Sequence, residues 1–331
     1  MFTRIAIVGA GLMGTGIARH LASNGHAVSA YDADARRLQQ ARDDNPVPAI
    51  QYVSALTDIA DADLVIEAVF EDLAVKQTVI RELESIVSKD CVLATNTSSL
   101  LVRDIAAVLE TPSRFLGIHY NNPADMNPIV EIIATAETSR PLASAVTAWM
   151  SSTGKHAIAC ADTTGFILNR QSLPYINEAA RCVAMATPLQ VDRLAVSRLG
   201  VGLGPFAVMN LVGLDVMAAA SRNLASLGHG YQPAAGLQSQ APAGAWQIDA
   251  DDARTPDLPA DMADAIEARL LGAMMFPGKD ILEQQLCSRD DLHLICREAL
   301  GYARSSPELL EAMDAGQADR YIEAYLRHQS G

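Results

Sequence analysis

Lysine is nearly missing from this chain: of 331 residues only Lys76, Lys89, Lys155 and Lys279 carry that side chain, and 25 lysines and arginines together face 39 aspartates and glutamates. The formal net charge is −14, and the arginines stand singly or in pairs. No basic stripe of the kind that neutralises nucleic-acid phosphates is present, which argues against a nucleic-acid partner. Cysteine is sparse as well. The five (Cys91, Cys160, Cys182, Cys287, Cys296) are odd in number and form no C-x-x-C pair, so neither a disulfide framework nor a metal site is expected, and a reducing compartment fits. No apolar run approaches membrane-spanning length and no basic leader precedes the first strand-like run, so a cytoplasmic protein without membrane attachment is expected. Aromatics make up only 5%. What is abundant is Ala, Leu, Val and Ile, which suits layered helix-and-sheet packing better than an aromatic-rich sandwich, at a length that suits two domains.

Residues 4 to 160 alternate short β-branched runs with helical patterns. The runs are Ile5–Val8, Ala27–Tyr31, Leu64–Ile66, Cys91–Ala94, Phe115–Ile118 and Ile129–Ile133. Strands alternating with helices imply crossover connections and a doubly wound parallel sheet. Around Asp162-Thr163-Thr164-Gly165 the pattern changes to helical periodicity alone. We therefore expect an α/β domain over residues 1–161 and an all-α domain over 162–331. A long helix is expected from Phe166 to Met185, kinked at Pro174. Residues 228–262, with Pro233, Pro242, Pro256 and Pro259, read as an extended loop, and Ala263 to Leu326 as helical. One internal echo stands out: Asp192-Arg193-Leu194…Leu199-Gly200…Pro205 recurs loosely as Asp291-Leu292-His293…Leu300-Gly301…Pro307, about 100 residues on. It reads either as chance in an Ala/Leu-rich chain or as a degenerate second repeat from about residue 263.

Two groups of residues carry chemistry. The first is Gly9-Ala10-Gly11-Leu12-Met13-Gly14, directly after a strand and opening a helix, followed by Asp32 at the end of the next strand. Gly9 permits the tight turn, Gly11 lets the backbone approach a pyrophosphate, and Gly14 lets helix and sheet pack closely, which makes Gly9, Gly11, Leu12, Met13 and Gly14 dinucleotide contacts. Asp32 is placed to accept from an adenosine ribose and would repel a 2′-phosphate, favouring NAD over NADP. The plain alternative is a glycine turn with a capping aspartate. The second group is Asn96-Thr97-Ser98-Ser99, His119 with Asn121-Asn122-Pro123, and Glu131. These polar residues fall at the carboxyl ends of strands, where open parallel sheets bind ligands. Oxidising a hydroxyl requires a base for its proton, and imidazole backed by a carboxylate on its other nitrogen suits that task, so His119 and Glu131 form an acid-base pair if the loop between them folds back. A structural histidine near a strand end is the plain alternative.

With these motifs in order, the chain resembles the 3-hydroxyacyl-CoA dehydrogenase family over most of residues 3 to 217. The matching stretches are Val8–Ala18, Ala62–Leu73, Asn96–Leu100, His119 with Asn122-Pro123 and Val130-Glu131, Asp162–Arg170, Gly204–Phe206 and Val212–Asp215. The resemblance implies a Rossmann-type NAD-binding domain followed by a helical one, and NAD-dependent oxidation of a 3-hydroxyacyl thioester. It also implies roles: His119 as base and Glu131 as its orienting partner, Ser98 on the substrate oxygen near the nicotinamide, Asn169 at the reacting end of the acyl group, Glu71, Lys76 and Asn122 on the nicotinamide half of NAD, and Asn96 and Ser98 as further cofactor contacts.

Departures from the family pattern bear on the substrate. Where a long basic helical hairpin that helps hold coenzyme A is usual, only Ala33 to Asp63 intervenes, with Arg36, Arg37 and Arg42 as its positive charges. Polar residues follow His119 where aromatics are common, Asn210 stands where an Asp is usual, and the Gly/Lys-rich turn near 228–250 is absent. The expectation is a short, polar acyl group carried as a thioester by coenzyme A or an acyl carrier protein, as in specialised metabolism. The rival is a free 3-hydroxy acid, as in gulonate- or carnitine-type relatives, with Arg170, Arg193 or Arg198 binding its carboxylate. The broader β-hydroxyacid dehydrogenases need a helix lysine, and none lies between Lys155 and Lys279. A non-catalytic NAD-binding protein would be marked by a broken Ser98/His119/Glu131/Asn169 set, and all four are present. Single-copy members of the family pair as homodimers; a second repeat would leave a monomer or an unusual dimer.

Overall fold

The computed structural model describes residues 2–248 and 257–329. The chain divides into two compact units, Met1–Phe166 and Ile167–Gly331. The first unit runs β1 (Arg4–Val8), α1 (Leu12–Ser23), β2 (Ala27–Tyr31), α2 (Ala35–Asp44), β3 (Ile50–Tyr52), β4 (Leu64–Glu67), α3 (Leu73–Ile86), β5 (Val92–Thr95), α4 (Val102–Ala106), β6 (Phe115–Tyr120), β7 (Ile129–Ala134), α5 (Arg140–Ser152) and β8 (His156–Ala161). The strands form one sheet in the order β3-β2-β1-β4-β5-β6-β7-β8. Every neighbouring pair is parallel except β6 and β7. That reversal is the one exception in the expected parallel sheet. The segment between Tyr120 and Ile129 is too short for a crossover, which needs a dozen or more residues, so the chain turns back on itself. The short β3 and the alternately exposed β8 lacked the apolar runs that marked the other strands.

β4, β5 and β6 are buried along their length and β1 from Ile5 onward, as a sheet covered on both faces requires. Ile5, Ile7, Leu64, Ile66, Leu116 and Ile118 pack with Ile17, Leu21, Val146 and Met150 from α1 and α5. In the same layer His20 is buried, its Nε2 2.9 Å from the Thr153 hydroxyl oxygen. Thr153 gives its own proton to the Met150 carbonyl, so Nε2 is the protonated nitrogen of a neutral ring. Burial, with Lys155 and His26 nearby, lowers the pKa of His20 from 6.5 to about 4. The unfolded chain therefore binds a proton between those values that the folded chain refuses. We expect about 3 kcal/mol of stability, complete above pH 6.5, to be lost as pH falls to 4. Urea midpoints of the wild type and His20→Gln between pH 7 and 4 test this, because the variant should lack that part of the slope.

The second unit is helical: α6 (Leu168–Arg181), α7 (Pro188–Leu194), α8 (Pro205–Val212), α9 (Leu214–Leu224), α10 (Ala235–Gln240), α11 (Ala260–Glu283), α12 (Arg289–Leu294), α13 (Ser306–Ala312) and α14 (Ala315–Leu326). The first helix is shorter than the expected Phe166–Met185, because Phe166 has φ 46 and cannot join it. Pro174 lies inside α6. The expected loop 228–262 is partly folded: α10 occupies its middle, and Trp246 is anchored by reciprocal bonds to the Asn210 side chain (3.0 and 2.7 Å) and an edge contact with Phe206. Residues 249–256 of that segment, Pro256 among them, lie outside the described residues.

The echo noted in the sequence coincides with matched elements. A π-helical turn (Ala195–Leu199, Ile295–Ala299) precedes a glycine with positive φ (Gly200 at 69°, Gly301 at 67°), and α8 or α13 follows. The two glycine turns pair antiparallel at Val201 and Tyr302. Their bonds are reciprocal: Gly202 N–H donates to the Gly301 carbonyl at 2.9 Å and Ala303 N–H to the Gly200 carbonyl at 3.1 Å.

Candidate active site

In the first unit β1 runs straight into the glycine turn. Gly9 has φ +107, and a Cβ there would stand 2.5 Å from the Ala68 carbonyl oxygen, while a Cβ on Gly14 would overlap the Gly9 carbonyl. Both positions therefore exclude any larger residue. Gly11 differs: no atom lies within 4 Å of where its Cβ would stand. It caps α1 without a side-chain hydrogen bond to the first-turn amides, so the helix end, with Leu12 and Met13 in its first turn, presents open backbone to an anion. Asp32, at the end of β2, accepts the Ala10 N–H and the Asp34 N–H at 2.8 Å each. A dinucleotide fits this donor set: unshielded amides for the pyrophosphate, a carboxylate for the ribose, and bare Cα atoms between them.

The turn after β5 is held by a charge cluster that runs from partly exposed Glu71 inward to buried Lys76 and Glu67. Glu71 Oε1 accepts from the Thr97 hydroxyl (2.7 Å), the backbone N–H of Ser98 and of Ser99 (2.9 Å each) and the Ser99 hydroxyl (3.0 Å), with the Ser98 hydroxyl at 3.3 Å. Behind it Lys76, 1% exposed, lies 3.3 Å from Glu71 Oε2 and donates to Glu67 Oε1 at 2.8 Å and to the Val69 carbonyl at 3.2 Å. Glu67 is fully buried and also accepts from the Thr95 hydroxyl (2.6 Å) and the Val69 N–H (2.6 Å). Burial alone would raise the pKa of Glu71, but Lys76 and the bonds from Thr97, Ser98 and Ser99 outweigh it and hold the carboxyl below the usual range. Sequence reasoning missed Glu67. Its signal was an acid closing a strand otherwise wholly apolar, followed by Glu71 and Lys76.

One strand over, the β6–β7 hairpin sets His119 directly opposite Glu131. His119 Nδ1 lies 2.7 Å from Glu131 Oε2, with His119 4% exposed and Glu131 fully buried. The Cys160 thiol from β8 lies 3.6 Å from the other Glu131 oxygen. Phe166, in its positive-φ conformation, sets its ring 5.4 Å from the imidazole. Asn96, from the β5 turn, accepts the Tyr120 N–H at 2.8 Å and so ties the two strand ends together. Asn122 precedes a cis bond to Pro123. The turn that follows is clamped by buried Lys155, whose ammonium donates to the carbonyls of Ala124, Asp125 and Asn127. Asp162 accepts the first amides of α4, Val102 N–H at 2.8 Å and Arg103 N–H at 3.0 Å. Thus Asn96, Ser98, His119 and Glu131 all belong to adjacent strands and turns of one sheet.

In the second unit Asn169 stands in the first turn of α6. Arg170 beside it is buried and committed: it donates to Asp280 Oδ2 at 2.6 Å and to the Tyr231 hydroxyl at 3.2 Å. Arg198 pairs with Asp264 and Glu267 at 2.7 and 2.8 Å. Two of the three arginines considered for a free carboxylate therefore already hold carboxylates of the protein.

Residues 4–45 and 40–163 match the family description "3-hydroxyacyl-CoA dehydrogenase, NAD binding domain", and residues 165–246 match "3-hydroxyacyl-CoA dehydrogenase, C-terminal domain". The chain is 34% identical over 238 residues to a 3-hydroxybutyryl-CoA dehydrogenase of Mycobacterium tuberculosis, which covers 65% of this chain and 83% of that protein. The chain belongs to the 3-hydroxyacyl-CoA dehydrogenase family. It is an NAD-dependent oxidoreductase of that family, and NAD is its cofactor. A second relative, named a probable 3-hydroxyacyl-CoA dehydrogenase in Caenorhabditis elegans, is 32% identical over 240 residues, with 64% of this chain and 80% of that protein covered. In three dimensions the chain is similar to a 3-hydroxybutyryl-CoA dehydrogenase of Escherichia coli, with a TM-score of 0.86 at 22% identity over 100% of this chain and 96% of the other. At that identity the likeness concerns the fold alone. No helix among the described residues is long and apolar enough to cross a membrane, and no group of metal-ligating side chains occurs among them.

Proposed function

We propose that this dehydrogenase interconverts a short 3-hydroxyacyl thioester and its 3-oxo form, with His119 as the acid-base. The observation that carries the reading is the buried 2.7 Å contact of His119 Nδ1 with Glu131. With Nδ1 held by a carboxylate, Nε2 is the nitrogen that takes the hydroxyl proton in oxidation and returns it in reduction, and Glu131 stabilises the imidazolium between those events. NAD, when bound, takes up or returns the hydride. Gly9, Gly11, Leu12, Met13, Gly14 and Asp32 hold its adenosine and pyrophosphate. Asn96, Ser98 and Asn122 serve the nicotinamide half, with Glu71 and Lys76 shaping their turn. Ser98 and Asn169 orient the substrate oxygens.

The first unit is the NAD-binding domain and the second carries substrate binding. The reciprocal pairing at Gly200 and Gly301 supports reading the segment from about residue 263 as a degenerate second copy of the helical repeat. It stands in this proposal where a second subunit would otherwise pair, leaving a monomer.

The acyl carrier follows from what replaces the hairpin. Between β2 and β4 there is one ten-residue helix, α2. Of its arginines, Arg42 donates to the Tyr52 carbonyl at 2.9 Å and Arg37 lies over the Phe70 ring. Arg36, Arg37 and Arg42 are the only positive charges this segment offers to the phosphates of coenzyme A, which favours a carrier-protein thioester; the polar residues after His119 favour a polar three- or four-carbon acyl group. The test is NADH formation from one short 3-hydroxy acid offered as its coenzyme A thioester, its carrier-protein thioester and the free acid. The thioesters should exceed the free acid in kcat/KM by about 10²-fold or more, because contacts remote from the reacting carbon drive the step. Turnover of the free acid alone would establish the rival reading.

A further inference from the structure

Phe70 is 68% exposed, in the loop that leaves β4. One face of its ring is covered by the Arg37 guanidinium, 5.1 Å from the centroid, reaching over from α2. In the sheet order β2-β1-β4 these two side chains come from either side of β1. The stacked pair therefore spans the carboxyl ends flanking the Gly9–Gly14 turn. The core gains nothing from a phenyl ring left this open, and Arg37 is not used up by an ion pair: Asp32 Oδ2, at 4.0 Å, stands at the limit of contact and already accepts the Ala10 amide.

We propose that Arg37 and Phe70 form the platform on which the adenine of NAD stacks. The order of groups along the site leads there. The open backbone at Gly11 takes the pyrophosphate, Asp32 takes the ribose, and the next group outward is the base, beside the residue five positions past Asp32 and the ring it covers. A purine has a π-face and no charge. Phenyl and guanidinium planes are the side-chain surfaces that bind such a face irrespective of sequence or substituent. Arg37 also sets a positive charge 4.0 Å from Asp32 Oδ2, beside the ribose position. The inference rests on NAD binding in the first unit and is independent of which acyl carrier the enzyme uses.

The test uses the full-length enzyme and three ligands: NADH, ADP-ribose, which keeps the adenosine half, and reduced nicotinamide mononucleotide, which lacks it. Dissociation constants come from nicotinamide fluorescence, and for ADP-ribose from displacement of NADH. Phe70→Ala should weaken NADH and ADP-ribose by about 5- to 50-fold, and Arg37→Ala should weaken both in the same direction. Reduced nicotinamide mononucleotide should bind both variants as it binds the wild type. Unchanged NADH and ADP-ribose binding in both variants would overturn the proposal. So would an equal loss for all three ligands, since that would mean a disturbed glycine turn and not a missing adenine contact. Phe70→Tyr, which keeps the ring, should bind NADH like the wild type.

Discussion

Replacing His119 by alanine is expected to lower NAD-linked turnover of a 3-hydroxyacyl thioester by about 10²- to 10⁴-fold, the span of a positioned general acid-base, without weakening NADH binding. The imidazole lies at the end of β6, on the far side of β4 and β5 from the glycine turn, so its loss leaves the adenosine half of the cofactor site intact. Glu131→Gln should fall by about 10²-fold or more by another route. The amide keeps a polar partner near Nδ1 but no longer stabilises the imidazolium or dictates which nitrogen carries the proton. Because Glu131 acts through His119, the double variant should be little worse than His119→Ala. Additive losses in the double variant would separate the two residues into independent roles. Both single variants are read by kcat/KM and by NADH fluorescence titration, so a folding defect is distinguished from a chemical one.

Lys76→Met is expected to destabilise the first unit by about 3–5 kcal/mol. It removes the cation lying 2.8 Å from Glu67 and 3.3 Å from Glu71 and leaves a fully buried carboxylate, Glu67, without its counter-charge. If Lys76 touched only cofactor, stability without ligand would be unchanged, so the urea midpoint of the apoenzyme separates the two roles. The pH dependence adds a second check. Lys76 helps hold Glu71 below the usual carboxyl range, so in the wild type the stability from this group is present above the ordinary carboxyl pKa. It is lost as pH falls through the lowered value. In Lys76→Met that contribution shrinks, and the gap between variant and wild type should be widest at neutral pH and narrow under acid conditions.

These expectations differ in how far a one-dimensional reading reaches them. The strand–glycine turn–helix unit with Asp32 could be read directly, because each part is a local constraint: φ at Gly9, the close approach at Gly14, and apolar runs of strand length. The six strands with β-branched runs were read for the same reason. Two others were not. Ile50–Tyr52 is only three residues long, and His156–Ala161 alternates exposure along one edge of the sheet. The loop over 228–262 was overread from its prolines and glycines, although the Asn210–Trp246 bonds and α10 give part of it a fixed shape. Lys76 could be named but not understood from sequence, since the same residue on a helix reads equally well as a solvated side chain.

By itself, then, the sequence determined the chain's membership in an NAD-dependent dehydrogenase family, the nucleotide-binding turn and the change from α/β to helical organisation. All of these depend on local sterics, periodicity and ordered motifs. Tertiary structure decided the pairings across long stretches of chain, including the geometry of the His119–Glu131 pair that the sequence could name only on condition that the loop folds back. The short return from Tyr120 to Ile129 reverses β7 and puts Glu131 against His119. Burial turns Lys76 inward to Glu67 and Glu71. Arg170 and Arg198 are spent on Asp280, Asp264 and Glu267. The sheet order sets Arg37 against Phe70 across β1. Each of these contacts joins residues whose spacing carries no period, so the closed loops and packed layers of the fold set their geometry.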